Sequence, residues 1–267
     1  MGGYDGFLGS ERDGVMTYCA AASLESGMVF CSDSLTHAGI DQVSTYSKMF
    51  RHGVAGERQF AILSAGNLAT SQGVMAKLKA DIRKEERVTL NTVGSLTEAA
   101  DYLGDISLEQ QERRKGGETN FEASFLLGGQ IKGRKHRLIL VYPEGNHITT
   151  SPDTPYLQIG ESKYGKPILD RILVPELDLA TAAQCLLISM DSTMKSNRGV
   201  GPPIELLLYP KDSLAMDNHH RFVPESDFLR DLRLSWDKAL KHAFRQMPPL
   251  SWAANWDKPG RGRNEVS

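Results

Sequence analysis

The chain has 267 residues, of which 40% are hydrophobic and 24% are charged, so it can form one large domain or two small ones with a substantial core. Its 31 basic and 33 acidic side chains give a formal net charge of -2. No long basic run is available to neutralise several phosphates, which excludes nucleic acid as an expected partner. No apolar run approaches the length of a membrane span, so we expect no membrane partner either.

The cysteines bear on the compartment. Cys19, Cys31 and Cys185 lie in apolar surroundings and show no CxxC spacing. An odd count of this kind argues against a disulfide framework and against a zinc site. Residues 1–15 also lack the basic start and apolar middle of a signal peptide. We therefore predict a cytoplasmic protein without a metal site.

Residues 1–16 are predicted to lie outside the fold. The stretch "MGGYDGFLGSERDGV" (1–15) holds five glycines and has no usable periodicity, which is typical of a leader, a tag or a removed start. Met16 is then a candidate for the true start of the chain. Removal of that methionine would leave Thr17 as the first residue.

A hairpin is predicted immediately after this segment. The stretches "TYCAAASL" (17–24) and "GMVFCSDS" (27–34) are too short for helices and apolar enough for strands buried on both faces. Gly27 stands where a three-residue loop, Glu25 to Gly27, needs a positive φ. That loop predicts Cys19 opposite Asp33, with Thr17 one diagonal step away on the same face. A further strand is predicted at 59–66.

The rest of the chain changes period several times. Apolar residues at helical spacing predict helices from Asn67 to about Arg87 and from about Ser95 to Lys115. Strands are predicted next, separated by turn residues, and then helices, a buried strand and a last amphipathic helix. The predicted strands are 121–131, 136–142, 147–150, 156–160 and 203–209, and the predicted later helices are 162–173, 177–196 and 226–246.

This order of elements predicts the fold class. Two helices between two batches of strands, followed by a second helix pair, are typical of an α+β four-layer αββα sandwich, in which helices cover two stacked antiparallel sheets. We expect a single domain over residues 17–246. Residues 247–267 are predicted to be an irregular C-terminal tail.

Several separated motifs carry a resemblance to a known family. A threonine opens the hairpin, "GMVFCSDSLTHAG" follows it, Lys48 begins the next segment, and "ILSAGNLAT" ends the following strand. In this order they resemble the N-terminal-nucleophile hydrolases of the proteasome β-subunit type. The stretches "DQVSTYSKMF", "IGESKYGKPILDR" and "MDSTMKSNRGVGPPIEL" look most like its bacterial Anbu branch, the proposed ancestral β-subunit. The resemblance covers about residues 16–240 and implies the N-terminal-nucleophile hydrolase fold.

The resemblance implies that Thr17 is the catalytic nucleophile. A threonine hydroxyl needs a base, and the α-amine of an N-terminal residue can serve, directly or through a water. A free α-amine has a pKa of about 8, which the nearby cation of Lys48 would lower further. Asp33 would hold Lys48 charged and oriented. The resemblance thus assigns catalytic roles to Thr17, Asp33 and Lys48.

Further residues are implied on both sides of the nucleophile. The backbone N–H of Gly66, which follows Ala65, would face the developing oxyanion, and Thr36 would contribute to substrate binding. Ser162 and Ser196 would support the α-amine. This sequence departs from the family pattern here, because Glu161 stands directly after Ile159-Gly160, where the pattern has a serine. Thr193 likewise stands where an aspartate is expected, with Asp191 two residues earlier.

The implied function is that of a proteasome-like threonine peptidase, which needs no metal or organic cofactor. Its partners would be a peptide or protein substrate and further copies of itself in a ring or split ring. An ATP-dependent unfoldase is suggested by analogy only. Two alternatives stay open. One is an N-terminal-nucleophile amidase that acts on a small amide or an unusual peptide, and the other is a catalytically idle ring or scaffold.

Overall fold

The structure is a computed structural model that describes residues 17–37, 43–113 and 120–251. The predicted leader and residues 252–267 of the predicted tail lie outside the described residues. The described residues fall into two compact units that divide between Ser226 and Asp227. The first unit contains the sheets and four helices, and the second contains the last helix.

The first sheet carries the N-terminal hairpin. Apolar strands β1 and β2 lie at its centre, and every residue of β2 is buried, as expected for a strand covered on both faces. All of the strand pairs in this sheet are antiparallel. The strand order is β10-β1-β2-β11-β12, with β1 at Tyr18–Leu24, β2 at Gly27–Ser32, β10 at Tyr156–Gly160, β11 at Ile204–Pro210 and β12 at His219–Phe222.

The second sheet is also antiparallel and has five strands in the order β5-β6-β7-β8-β9. A separate two-stranded ribbon lies in sequence between the two sheets and joins β2 to β5. The ribbon consists of β3 at Leu35–His37 and β4 at Val43–Thr45. The strands of the second sheet are β5 at Met49–Val54, β6 at Arg58–Gly66, β7 at Ala123–Ile131, β8 at Arg137–Val141 and β9 at His147–Thr149.

Helices cover the outer face of each sheet. The N-caps of α1 and α2 are Asn67 and Ser95, whose side chains accept backbone N–H groups of the first turn. Helices α1 and α2 pack on the second sheet, and α4 packs on the first sheet with α3 beside it. The helices are α1 at Leu68–Arg83, α2 at Leu96–Glu112, α3 at Ser162–Ile172, α4 at Leu179–Ser196 and α5 at Asp227–Arg245.

Apolar layers hold the sandwich together, and two of them lie on the two faces of the second sheet. Along β6, Phe60 and Ile62 point into the layer shared with α1 and α2, whereas Ala61 and Leu63 point into the layer between the two sheets. This alternation follows from the two-residue period of a strand. The predicted αββα sandwich is therefore confirmed. None of the described helices is long and apolar enough to cross a membrane.

The predicted hairpin register is wrong by one residue. The loop has two residues rather than three, since Leu24 pairs with Gly27 and Cys19 pairs with Ser32. Gly27 is the first residue of β2 and not part of the loop. Its φ is +143°, and a Cβ at this position would lie 2.1 Å from the carbonyl oxygen of Tyr209 on β11. The close approach of β11, which local sequence does not show, therefore requires glycine at the start of β2.

Gly27→Ala should destabilise the protein by about 3 kcal/mol or more, because the new methyl group meets immovable backbone as well as an unfavourable φ. Gly56→Ala is the matched control. Gly56 also has a positive φ, of +71°, but nothing lies within 4 Å of the added Cβ, so a loss of about 1 kcal/mol is expected. Urea unfolding followed by circular dichroism, at equal protein concentration, measures the free energy of unfolding of both variants. Equal losses in the two variants would contradict the steric explanation.

Candidate active site

The centre of the candidate site is an ion pair between two buried side chains. Asp33 follows β2 and is fully buried, and Lys48 precedes β5 and is 8% exposed. The Nζ of Lys48 lies 2.7 Å from Oδ1 of Asp33 and also donates to the carbonyl oxygen of Leu35 at 2.7 Å. The ammonium is therefore held by two acceptors. The structure brings together two residues that are fifteen positions apart in the sequence.

Backbone N–H groups complete the shell around the Asp33 carboxylate. Oδ1 accepts from the N–H of Tyr18 at 3.1 Å, and Oδ2 accepts from the N–H of Gly201 at 3.3 Å. Burial raises the pKa of Asp33 above its ordinary value, while the Lys48 ammonium and these two donors oppose that rise. The contacts stabilise the charged carboxylate that keeps Lys48 in place.

Thr17 directly precedes Tyr18, whose backbone N–H donates to Asp33. The peptide group that joins Thr17 to Tyr18 therefore contacts the ion pair. Thr17 is only 7% exposed, and its carbonyl oxygen accepts the N–H of Glu161 at 2.8 Å. Gly160 makes this contact fit, since its φ is +79° and a Cβ there would lie 2.0 Å from the Thr17 carbonyl oxygen. The end of β10 thus holds the backbone of Thr17 from one side and Asp33 holds it from the other.

The predicted oxyanion residues lie at the end of β6. Ala65 is buried, and Gly66 has a φ of +114°, which favours glycine. This end of the strand lies beside the ion pair, because the N–H of Ser64 donates to the carbonyl oxygen of Lys48 at 3.0 Å. Thr36 lies on β3, and its buried Oγ1 has no hydrogen-bond partner among the described residues.

The residues predicted to support the α-amine differ in their exposure. Ser162 begins α3 and is half-buried, and Ser196 ends α4 and is exposed. The side chain of Glu161 makes no cap bond to α3, and its backbone N–H donates to the carbonyl oxygen of Thr17. Asp191 is buried on α4. Thr193 donates its Oγ1 to the carbonyl oxygen of Ser189 at 2.9 Å, which uses its hydroxyl proton within the helix.

Sequence reasoning missed several polar residues that surround this site. Tyr18 has a buried hydroxyl that lies 2.7 Å from the Oγ of Ser189 and also accepts from Gln158. Gly201 contributes the N–H that binds Asp33, and Glu205 is a buried carboxylate in β11. A glutamate inside the apolar stretch "IELLLYP" was the one available signal.

A cavity of about 770 Å³ opens next to Lys48. It runs between β5 and one face of α1, and it reaches from Leu68 to Arg83, which is ~22 Å along a helix. Lys79 and Arg83 are exposed in the last turns of α1, and none of the described lining residues is acidic. Most of the cavity wall is apolar, although polar side chains such as Ser71 and Gln72 also line it, and Lys79 and Arg83 make it cationic toward the C-terminal end of α1.

Comparison with solved structures gives close matches. Anbu (ancestral beta-subunit) from Yersinia bercovieri is 45% identical with a TM-score of 0.84, and the match covers 88% of this chain and 99% of that one. The helical assembly of the Anbu complex from Pseudomonas aeruginosa is 42% identical with a TM-score of 0.86 and coverages of 90% and 100%. Anbu from Hyphomicrobium sp. strain MC1 is 39% identical with a TM-score of 0.82 and coverages of 88% and 100%.

Comparison with family models and with curated proteins finds no match. The αββα sandwich and the structural matches define the class as that of the proteasome-like N-terminal-nucleophile hydrolase fold. Within that class, the chain belongs to the Anbu, or ancestral β-subunit, family.

Lys48→Met should destabilise the protein by about 3–5 kcal/mol, because it leaves the buried Asp33 carboxylate without its cation. Without that cation the pKa of Asp33 rises further. A protein whose buried carboxyl group has a raised pKa becomes less stable as the pH rises through that pKa. The loss of unfolding free energy in Lys48→Met should therefore be largest near neutral pH and shrink as the pH falls.

The matched control is Lys166→Met, which breaks a pair to Asp170 at the same 2.7 Å but with both side chains about half exposed. We expect a loss of less than about 1 kcal/mol there. Urea unfolding of both variants over a pH series measures the difference. A Lys48→Met deficit that does not change with pH would contradict the role assigned to Asp33.

Proposed function

We propose that the chain is a threonine peptidase subunit in which Thr17, once it is the N-terminal residue, is the nucleophile. The observation that carries the proposal is the buried Asp33–Lys48 pair bound through Asp33 to the peptide N–H that follows Thr17. A buried ion pair contributes little net stability compared with apolar residues of similar size. Its place next to a strand-opening threonine therefore points to catalysis.

The proposed reaction has two steps. The neutral α-amine of Thr17 takes the proton of its own hydroxyl, and Oγ1 attacks the substrate carbonyl carbon. The backbone N–H of Gly66 stabilises the oxyanion. The C–N bond then breaks, the leaving amine takes the proton, and an ester remains on Oγ1. A water then gives a proton to the α-amine and attacks the ester carbonyl carbon. The bond between that carbon and Oγ1 breaks, the α-amine returns the proton to Oγ1, and the carboxyl product leaves. Lys48 lowers the pKa of the amine so that it is neutral at working pH.

The shape of the cavity favours a peptide over a small amide. A cavity of about 770 Å³ along most of α1 is at the upper end of the range for small-molecule sites. We infer that it takes a substrate side chain next to the cleaved bond and further residues beyond it. The apolar lining and the cations at Lys79 and Arg83 suit a large apolar or acidic side chain.

Self-association is the second part of the proposal. The Pseudomonas aeruginosa relative is described as a helical assembly, and contacts of one subunit surface with a different one produce either a ring or an open helical turn. We infer that this chain assembles with copies of itself. The buried free thiols fit the reducing environment of the cytoplasm. An unfoldase partner rests on analogy alone.

One observation favours an idle scaffold instead. Thr193 stands where the family pattern has an aspartate, and its hydroxyl donates within α4 to the carbonyl oxygen of Ser189, so this position lacks the carboxylate that the pattern provides. A scaffold would keep the fold and the Asp33–Lys48 pair without turnover. Covalent labelling of Thr17 separates this alternative from the peptidase.

The first test is the intact mass of protein translated from Met1 and from Met16, before and after an epoxyketone or β-lactone that targets an N-terminal threonine. Chains that begin at Thr17 should gain one probe mass, whereas Thr17→Ala chains should gain none. The thiols should not compete, because burial raises the pKa of Cys185 to about 12 and that of Cys19 well above its ordinary value. A chain that begins at Thr17 and takes no label would favour the scaffold.

The second test uses reporter peptides with Leu, Glu or Lys before the cleaved bond. The wild type should cleave the Leu and Glu peptides faster than the Lys peptide. Lys79→Glu should lower the ratio of Glu to Lys cleavage about fivefold, since an exposed charge pair contributes up to about 1 kcal/mol.

Lys84→Glu is the matched control, because Lys84 follows the same helix but does not line the cavity. The ratio of Glu to Lys cleavage in Lys84→Glu should equal that of the wild type. If Lys84→Glu changes the ratio as much as Lys79→Glu, the cavity is not the site that binds the substrate side chain.

A further inference from the structure

A second buried carboxylate lies one strand away from the ion pair. Glu205 is 5% exposed and is the second residue of β11, where it pairs with Ser32 of β2 and with Arg221 of β12. Its neighbours along the strand are apolar. Burial of a carboxylate is costly unless hydrogen bonds compensate for the lost water, so the partners of Glu205 indicate why it is there.

Those partners flank the two members of the ion pair. Oε2 of Glu205 accepts the hydroxyl of Ser47 at 2.6 Å and that of Ser34 at 3.4 Å. Ser34 directly follows Asp33, and Ser47 directly precedes Lys48. One carboxylate oxygen therefore contacts both segments that carry the charged pair.

Backbone contacts make the two segments one unit. The N–H of Tyr46 donates to the carbonyl oxygen of Ser34 at 2.9 Å, and the N–H groups of Ser34 and Leu35 lie 3.3 and 3.2 Å from the carbonyl oxygen of Gly201. The ribbon of β3 and β4 joins these segments, but its short strands pair mainly with each other. Glu205 anchors the base of this ribbon to the first sheet.

The remaining charged groups near Glu205 come from other strands. Oε1 lies 3.2 Å from Nε2 of His219 on β12. Burial lowers the pKa of His219, Arg51 of β5 acts in the same direction, and Glu205 opposes them. The guanidinium of Arg51 donates to the carbonyl oxygen of Met216 at 3.2 Å. The hydroxyl of Ser47, at 2.6 Å, lies closer to Glu205 than the imidazole of His219 does.

We propose that Glu205 is a positioning residue: by binding Ser47 and Ser34 it fixes the separation and direction of Lys48 relative to Asp33 and to the α-amine of Thr17. The inference rests on the proposed function. It assigns no contact between Glu205 and substrate. Loss of the anchor lets the ribbon shift, and misplacement of a catalytic group by about 1 Å costs up to about 100-fold in rate.

The test compares Glu205→Ala, Glu205→Gln and Ser47→Ala with the wild type, all as full chains processed to Thr17. The readout is the rate at which a β-lactone acylates Thr17, per folded subunit, as a function of pH. Gln130→Ala is the matched control, because Gln130 is an equally buried polar residue with several hydrogen bonds. It lies toward the opposite end of the second sheet, ~20 Å along the strands.

We expect Glu205→Ala and Ser47→Ala to acylate about tenfold more slowly, with Glu205→Gln closer to the wild type because its amide oxygen can still accept from Ser47. The acid limb of the rate should move to higher pH in Glu205→Ala. Displacement of the Lys48 cation lets the pKa of the α-amine return toward its ordinary value. Gln130→Ala should keep both the wild-type rate and the wild-type pH profile.

The inference is overturned if the wild type is labelled and both alanine variants match it in rate and pH profile. If the wild type is not labelled, the proposed function fails, and crystal structures then decide the inference by themselves. A lengthened distance between Lys48 Nζ and Asp33 Oδ1 in Glu205→Ala or Ser47→Ala supports it, and an unchanged 2.7 Å in both overturns it.

Discussion

The burial of Asp33 beside Lys48 is the constraint on which the rest of the site depends. A fully buried carboxylate needs its cation and its hydrogen bonds together, since removal of either leaves an uncompensated charge in a medium of low dielectric. The bonds come from three different parts of the chain: the N–H of Tyr18 at the start of β1, the N–H of Gly201 after α4, and the ammonium of Lys48 before β5. These three segments must therefore converge for the fold to be stable.

This convergence explains why the two sheets meet as they do. In antiparallel sheets the start of one strand lies beside the end of its neighbour. Thr17 precedes β1 where β2 and β10 end, and Lys48 precedes β5 where β6 ends. All of these ends lie at one edge of the sandwich. A carboxylate between the sheets at this edge can bind one sheet through Tyr18 and the other through Lys48.

Much of this architecture can be predicted from the sequence. The strands β1, β2, β6 and β7 are continuous apolar stretches, the helices α1, α2 and α4 have apolar residues at helical spacing, and the predicted positions of all seven agree with the structure within a few residues. The place of Gly27 in β2 rather than in the loop could not be predicted, because the contact that requires glycine is with the carbonyl of Tyr209, 182 positions later in the chain. The short strands β3, β4 and β12 have too few residues for a period to be visible. The role of Glu205 could not be predicted, because a glutamate inside an apolar strand gives no indication of its hydrogen-bond partners, Ser34 and Ser47, more than 150 positions earlier.

The two halves of the candidate site differ in how firmly they are built. The half that holds Lys48 is enclosed by Asp33 and the carbonyl of Leu35, and Glu205 anchors the segments on either side. The half that would orient the α-amine has an exposed Ser196, a half-buried Ser162 and a Thr193 whose hydroxyl is bound within its helix. What the structure offers there is backbone: the N–H of Glu161 on the carbonyl of Thr17, made to fit by Gly160. In the mechanism proposed above, Thr17 would be oriented through its carbonyl, and the cation of Lys48 would supply most of the shift in the pKa of its α-amine. Catalysis in this chain would then depend more heavily on the Lys48 side of the site.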